Sequence, residues 1–172
     1  MTPTMRSYCI EEDYWRIREF LRQVMIANNR RELCWHVARL DYWWWFVNPD
    51  IEKIPLEENV FIWETESGQI AAVLNPEGRG QAYLQIHPGF RTPELDEEMI
   101  ALAEERLSVT NKDGQRKLQV FVDSQDKAIQ RVLSGRGFKR VEEVGIRRFS
   151  TVGRWMNRCP MSRRFRGIRS VP

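Results

Sequence analysis

The 172 residues are 42% apolar and 30% charged, the balance of a globular chain and not of a disordered or membrane-embedded one, and at this length one domain is expected. The longest unbroken apolar or aromatic run, Tyr42 to Val47, is far short of the roughly 20 residues of a bilayer span, and no hydrophobic leader follows Met1, so a cytoplasmic location is expected. The net charge of +3 comes from six arginines after residue 150 with no acid among them, so residues 1–150 hold 21 basic against 24 acidic side chains; a nucleic-acid surface is not expected of the body of the chain.

In chain order, Met5 to Ile10 reads as an opening strand. Tyr14, Ile17, Leu21 and Val24 then recur at helical spacing behind the acids Glu11, Glu12 and Asp13, which suit a helix N-terminus and predict a helix to about Asn28. Asn29 and Glu32 stand at capping-box spacing, and Leu33, Val37, Leu40 and Trp44 form a stripe ending before Pro49, so a second helix is expected there. Asn59 to Glu64, Gln69 to Asn75 and Gln81 to Ile86 are rich in β-branched and aromatic residues and are separated by turn residues; they read as an antiparallel meander. Thr92-Pro93 reads as an N-cap followed by proline at the first helical position, with Leu95, Met99 and Leu102 as the buried face. Lys117 to Val122 is a strand, Ser124 to Ser134 a helix, and Phe138 to Glu142 with Ile146 to Phe149 a closing strand pair around Gly145.

Three local strings accompany that order. Ile86-His87-Pro88-Gly89-Phe90-Arg91 ends a strand before a helix, Ala128 to Phe138 closes with Gly137-Phe138, and Cys34-Trp35-His36-Val37-Ala38-Arg39 precedes a run of aromatics. From residue 6 to about 150 the chain resembles the GCN5-related N-acetyltransferase family: the first string is similar to its strand ending V-H-P-x-x-R, the second to its closing helix, the third to a string of bacterial tandem members. The resemblance implies an α/β domain of α+β type over residues 1–150, with a central mixed, mostly antiparallel sheet flanked by helices. Residues 151–172 then form a basic tail, or the start of a linker or second domain, since Phe165 to Val171 resembles an entry strand.

The resemblance further implies acetyl-CoA as co-substrate, direct acyl transfer to an amine, and no metal. It places the pantetheine arm against Leu84, Gln85, Ile86 and His87 and the pyrophosphate on the loop from Arg91. In the family that loop carries glycines, because backbone N–H groups must touch the phosphates. Here those positions are Thr92, Glu94 and Asp96, so the phosphate site is expected to be weak or lost, with the two carboxylates ionised against the helix N-terminus. The family's tyrosine acid falls on Leu133, and strand 81–86 offers no carboxylate, leaving His87 as the candidate base.

Other features read as structural. Cys9, Cys34 and Cys159 form no C-x-x-C pair and are expected to be reduced thiols, and His36 lacks partners at metal-ligand spacing. Tyr42 to Phe46 place five aromatics around a helix, more than one core can cover. Trp43, Trp45 or Phe46 are therefore expected to meet a second copy or a second domain of the same fold. The alternative function is a non-catalytic module that docks through these residues.

Overall fold

The computed structural model describes residues 2–30, 34–112 and 114–141, and the backbone of 152–159. Its elements are β1 (Thr4–Ser7), α1 (Glu11–Ala27), α2 (Val37–Tyr42) continuing as a π-helical segment (Trp43–Glu52), α3 (Leu56–Asn59), β2 (Phe61–Glu64), β3 (Ile70–Asn75), β4 (Gln81–Ile86), α4 (Pro93–Arg106), β5 (Val109–Thr110), β6 (Arg116–Asp123), α5 (Lys127–Gly135), β7 (Lys139–Val141) and β8 (Val152–Cys159). The strands form one sheet in the order β1-β2-β3-β4-β6-β8-β7, with β5 pairing β6. Every pairing is antiparallel except β4 with β6. A parallel pair needs a long crossover, which α4 supplies.

Alternation along the strands sorts the core into two layers. Phe61, Trp63, Ala72 and Leu74 pack with Leu95, Met99, Ile100 and Ala103 of α4 and Ile129 and Leu133 of α5. Ile62 and Val73 point the other way, to Tyr14, Ile17, Leu21 and Val24 of α1 and to Leu40, Trp43 and Trp44. The sheet is thus covered on both faces, and β3 is buried along its whole length. Gly80 sets the start of β4: its φ is +74°, and a Cβ there would stand 2.7 Å from the Val109 side chain, so only glycine lets β4 meet β6 at that point.

The helix α1 follows the expected bounds within one residue at either end. Its buried Asp13 accepts from Arg6 at 2.6 and 2.8 Å, and Arg6 also bonds Glu64 of β2 at 2.9 Å, tying the helix start to the sheet edge. The second helix departs from expectation. Asn29 and Arg30 take φ of +54° and +61°, a left-handed pair that ends α1 where a capping box was expected. The start comes instead at Val37, where His36 Nδ1 accepts the Ala38 N–H at 3.1 Å. Nor does Pro49 stop the helix: the segment goes on in wider π-helical turns, closing with Lys53 N to Asn48 O at 2.7 Å, a geometry in which the missing proline N–H breaks no α-helical bond.

The meander is β2, β3 and β4 as expected, and β7 falls within Phe138 to Glu142. Ile146 to Phe149 lies outside the described residues. The partner of β7 is β8, with Lys139 opposite Met156, so the sheet extends into the stretch read from sequence as a tail. Arginines carry no apolar period, and that is why the strand was not legible there. α3 and β5 are short additions without a sequence signal.

Candidate functional site

β4 and β6 run side by side only from Gln81 opposite Gln119 to Tyr83 opposite Phe121. Beyond that β4 stays with β3, with Ile86 opposite Ala72, while β6 stays with β8, with Asp123 opposite Val152. Each strand keeps its outer neighbour and loses the inner one, so the sheet splits into a V at the carboxyl ends of its two parallel strands, the place where α/β sheets open a crevice. The V holds a cleft of about 360 Å³, within the range of small-molecule sites. Its walls are Leu84, Ile86, Phe121, Val122, Ala128 and Ile129, and the half-buried Cys34 reaches it from the segment before α2. Burial pushes the Cys34 thiol up to about 11, so it stays protonated and a poor nucleophile at neutral pH.

The mouth is charged, and its charges are paired. The guanidinium of Arg91 donates to Asp96 from Nε at 3.1 and 3.2 Å and from Nη2 at 3.2 Å, and to Asp126 from Nη1 at 2.7 Å and Nη2 at 3.0 Å. Both carboxylates have structural work. Asp126 caps α5 by accepting the Ile129 N–H at 3.2 Å. Asp96 is buried, with a side chain only 3% exposed; burial raises its carboxyl above the usual range although Arg91 pulls it down. At the start of α4 the Thr92 hydroxyl accepts the Leu95 N–H at 3.2 Å, the Thr92 carbonyl accepts the Asp96 N–H at 3.1 Å, and Pro93 has no N–H to give. The expected cap is therefore present. Of the two carboxylates expected to face an incoming anion, Asp96 does not, since it turns inward to Arg91, while Glu94 is exposed in the first turn of α4.

The other expected site residues separate in the same way. Leu84, Ile86 and Arg91 line the cleft. Gln85 does not, because side chains alternate along a strand; it is buried on the other face, where Oε1 accepts the Trp35 N–H at 2.8 Å and Nε2 donates to Asn75 Oδ1 at 3.2 Å. His87 is a turn residue: its Nδ1 accepts the Gly89 N–H at 3.1 Å and its ring meets Phe90. Desolvation lowers its pKa, so the ring is neutral at pH 7; its proton sits on Nε2, and the nitrogen that could take another, Nδ1, is engaged by the Gly89 N–H. Leu133 is fully buried beside Ile129 and Phe138 in the core.

Asp123, Asp126 and Lys127 are cleft residues that sequence reasoning missed. The spacing of Asp126 to the apolar Ile129 was the available signal, being that of an N-cap and its first buried residue. Trp43 must be removed from the docking group: it is 1% exposed and its Nε1 donates to Glu77 O at 2.7 Å. Trp45 and Phe46 are exposed at 46% and 61%, with the exposed Tyr42 stacked on Phe46 and the buried Tyr14 edge-on to Trp45. Among the described residues, no helix is long and apolar enough to cross a membrane.

No protein-family model matches the sequence, and no curated protein matches it either. Solved structures do. A GCN5-related N-acetyltransferase from Sphaerobacter thermophilus is similar over 80% of this chain at 17% identity and a TM-score of 0.59, though the match spans only 44% of that protein. Phosphinothricin acetyltransferase from Sinorhizobium meliloti, solved with AcCoA, is similar over 92% of this chain and 89% of its own at 11% identity and 0.59. Spermidine N-acetyltransferase from Vibrio cholerae, solved with CoA and spermine, is similar over 90% and 94% at 18% identity and 0.54. Together with the split between β4 and β6, these likenesses establish that the chain has the fold of the GCN5-related N-acetyltransferases.

Proposed function

We propose that this chain is an acyl-CoA-dependent N-acyltransferase of low activity, taking the thioester arm in the cleft between β4 and β6. The observation that carries this is the split itself: two strands that part at Tyr83 and Phe121 open a cleft between the apolar side chains of Leu84 and Ile86 and those of Phe121 and Val122. Two of the similar structures hold AcCoA or CoA. The arm fits this slot, with Leu84 and Ile86 on one side and Phe121 and Val122 on the other. The diphosphate half of CoA does not fit the mouth as built, since Arg91 is held by two carboxylates and the start of α4 is capped from within.

A bound acyl-CoA supplies an activated acyl group, which an amine takes as the C–S bond breaks and a C–N bond forms, the amine proton ending on the sulfur. The protein's part is to hold the reacting carbon beside the amine and to keep water away. Asp123, at the carboxyl end of β6, is the cleft carboxylate that draws a cationic amine to the mouth, and the ammonium gives its extra proton to solvent water before the neutral amine attacks. Neither His87 nor Cys34 serves as base or nucleophile, and Leu133 offers no proton to the leaving sulfur, so the loss of a general acid slows turnover by about 10²-fold or more.

The test is thiol release from acetyl-CoA with a panel of amines, beside Ala128→Trp, which places a bulky ring in the cleft from an exposed helical position. Slow, amine-dependent release that Ala128→Trp abolishes is expected. No amine-dependent release at millimolar donor removes the proposal. The second reading, a non-catalytic docking module, is favoured by exposed Tyr42, Trp45 and Phe46; it predicts an oligomer that Trp45→Ser with Phe46→Ser dissociates in sedimentation.

A further inference from the structure

The cleft and its mouth favour different halves of a CoA thioester. The side chains of Leu84, Ile86, Phe121, Val122 and Ile129 give the cleft an apolar wall, which suits a neutral, extended arm, while Arg91, Asp123, Asp126 and Lys127 supply its charges. At the mouth the Arg91 guanidinium and the N–H groups of Leu95, Asp96 and Ile129, which would receive a diphosphate, are already bonded within the chain. The guanidinium of Arg91 spends Nε, Nη1 and Nη2 on Asp96 and Asp126. Of the N–H groups that open α4, Leu95 donates to Thr92 Oγ1 and Asp96 to Thr92 O. At α5 the Ile129 N–H donates to Asp126.

Charge points the same way. Around the mouth stand Arg91 and Lys127 against Asp96, Asp123 and Asp126, a net negative set, with Glu94 exposed at the start of α4. An anion must displace a carboxylate from Arg91 and then sit beside it, so whatever it gains from the cation it loses to the released acid. Such exchange leaves no net recognition of phosphate.

Resting on the acyl-transfer reading above, we infer that the donor this site selects is the acyl-pantetheine arm alone, whatever its phosphate end is joined to, and that the nucleotide of CoA adds nothing to binding. The class of donor is then wider than CoA thioesters. It includes a free pantetheine thioester and the same arm carried on the phosphopantetheinyl serine of a carrier protein, which leaves the mouth facing a protein surface in place of a nucleotide.

Calorimetric titration of the full chain with acetyl-pantetheine, acetyl-CoA and an acetylated phosphopantetheinyl carrier protein tests this directly. Acetyl-pantetheine and acetyl-CoA are expected to bind within about threefold of one another. A carrier-borne arm that binds more than about tenfold tighter than free acetyl-pantetheine identifies the carrier as the source, and equal or weaker binding identifies the free thioester. Ala128→Trp locates the ligand: it should weaken all binding by about tenfold or more with the helical spectrum unchanged, and retained binding would place the arm elsewhere and end the inference. Asp126→Asn keeps an acceptor for the α5 cap while freeing one edge of Arg91; a new preference of about tenfold for acetyl-CoA is expected. If the unmodified chain binds acetyl-CoA more than about thirtyfold tighter than acetyl-pantetheine, the nucleotide is recognised and the inference is overturned while the acyl-transfer reading stands. If none of the three ligands binds at millimolar concentration, that reading itself has failed.

Discussion

Replacing Arg91 by glutamine tests whether this arginine is structural or reserved for a ligand. The substitution leaves Asp96 with a side chain 3% exposed and no cation beside it, and removes three contacts of 3.1 to 3.2 Å. Breaking one partner out of a buried pair costs about 3–5 kcal/mol. The Arg91 side chain is 28% exposed, so water already screens part of the attraction and about 3 kcal/mol is the expected loss at pH 7. Asp126, which is more exposed and keeps its cap to Ile129, adds little. The sign with pH follows from burial, which raises the Asp96 carboxyl even in the presence of Arg91 and raises it further once the cation is gone. A folded state that holds a proton the unfolded state lacks gains stability as pH falls, by up to about 1.4 kcal/mol per unit, until the unfolded value near 3.8 is reached. Urea unfolding of both proteins at pH 7 and pH 5 should therefore show the gap narrowing by as much as about 2.7 kcal/mol. A loss below about 1 kcal/mol at pH 7, or a gap that does not shrink on acidification, would refute the assignment of Arg91 to the fold.

Gln85→Leu leaves the Trp35 N–H and Asn75 Oδ1 buried without partners and should cost about 3 kcal/mol, or roughly 9 °C in Tm; thermal unfolding within 2 °C of the parent would show that water repairs the gap. His87→Ala loses one turn bond, about 1 kcal/mol, and should leave any thiol release and its pH profile within about twofold; a drop of about 100-fold would restore His87 as a base. Hydrogen bonds from Arg6, against the pull of burial, hold Glu64 below its usual 4.5. A depressed carboxyl stabilises above its unfolded pKa and loses that stabilisation as pH falls, so the urea midpoint should drop more steeply between about pH 5 and 3 in the parent than in Glu64→Gln; parallel curves would deny the ion pair a role.

What the sequence made legible was what local physics determines. Thr92-Pro93 announced the start of α4 because a hydroxyl and a missing N–H solve the same end problem wherever they occur, and the meander followed from β-branched runs between turn residues. Misreadings arose where a distant partner decides. Asn29 and Glu32 have capping spacing, yet Asn29 takes a left-handed conformation to end the preceding helix. Trp43 lies in a run too aromatic for one core, but the loop carrying Glu77 closes over it. Asp96 looks like a repulsive charge in one dimension and is a partner of Arg91 in three. Gln85 was assigned to the cleft by position on its strand, and only the pleat, with Trp35 on the far side, assigns it to the core.

Arg91, Asp96, Asp126 and Leu133 are coupled through the structure. An arginine at the end of β4 requires an anion. Where backbone N–H groups bind a diphosphate, that anion arrives with the ligand; here Asp96 and Asp126 supply it from within. With these partners in place the guanidinium has its counter-charges within the chain, which is what the acyl-pantetheine proposal rests on. Leu133 belongs to the same state. It lies in the layer with Ile129, the first buried residue of the helix that Asp126 caps, and a tyrosine there would have to push its ring into a filled core and find a partner for its hydroxyl. A tyrosine at position 133 would therefore cost packing, and removing Asp96 and Asp126 would strand Arg91, so the cap of α5, the core beneath it and the charges of the mouth stand or fall together.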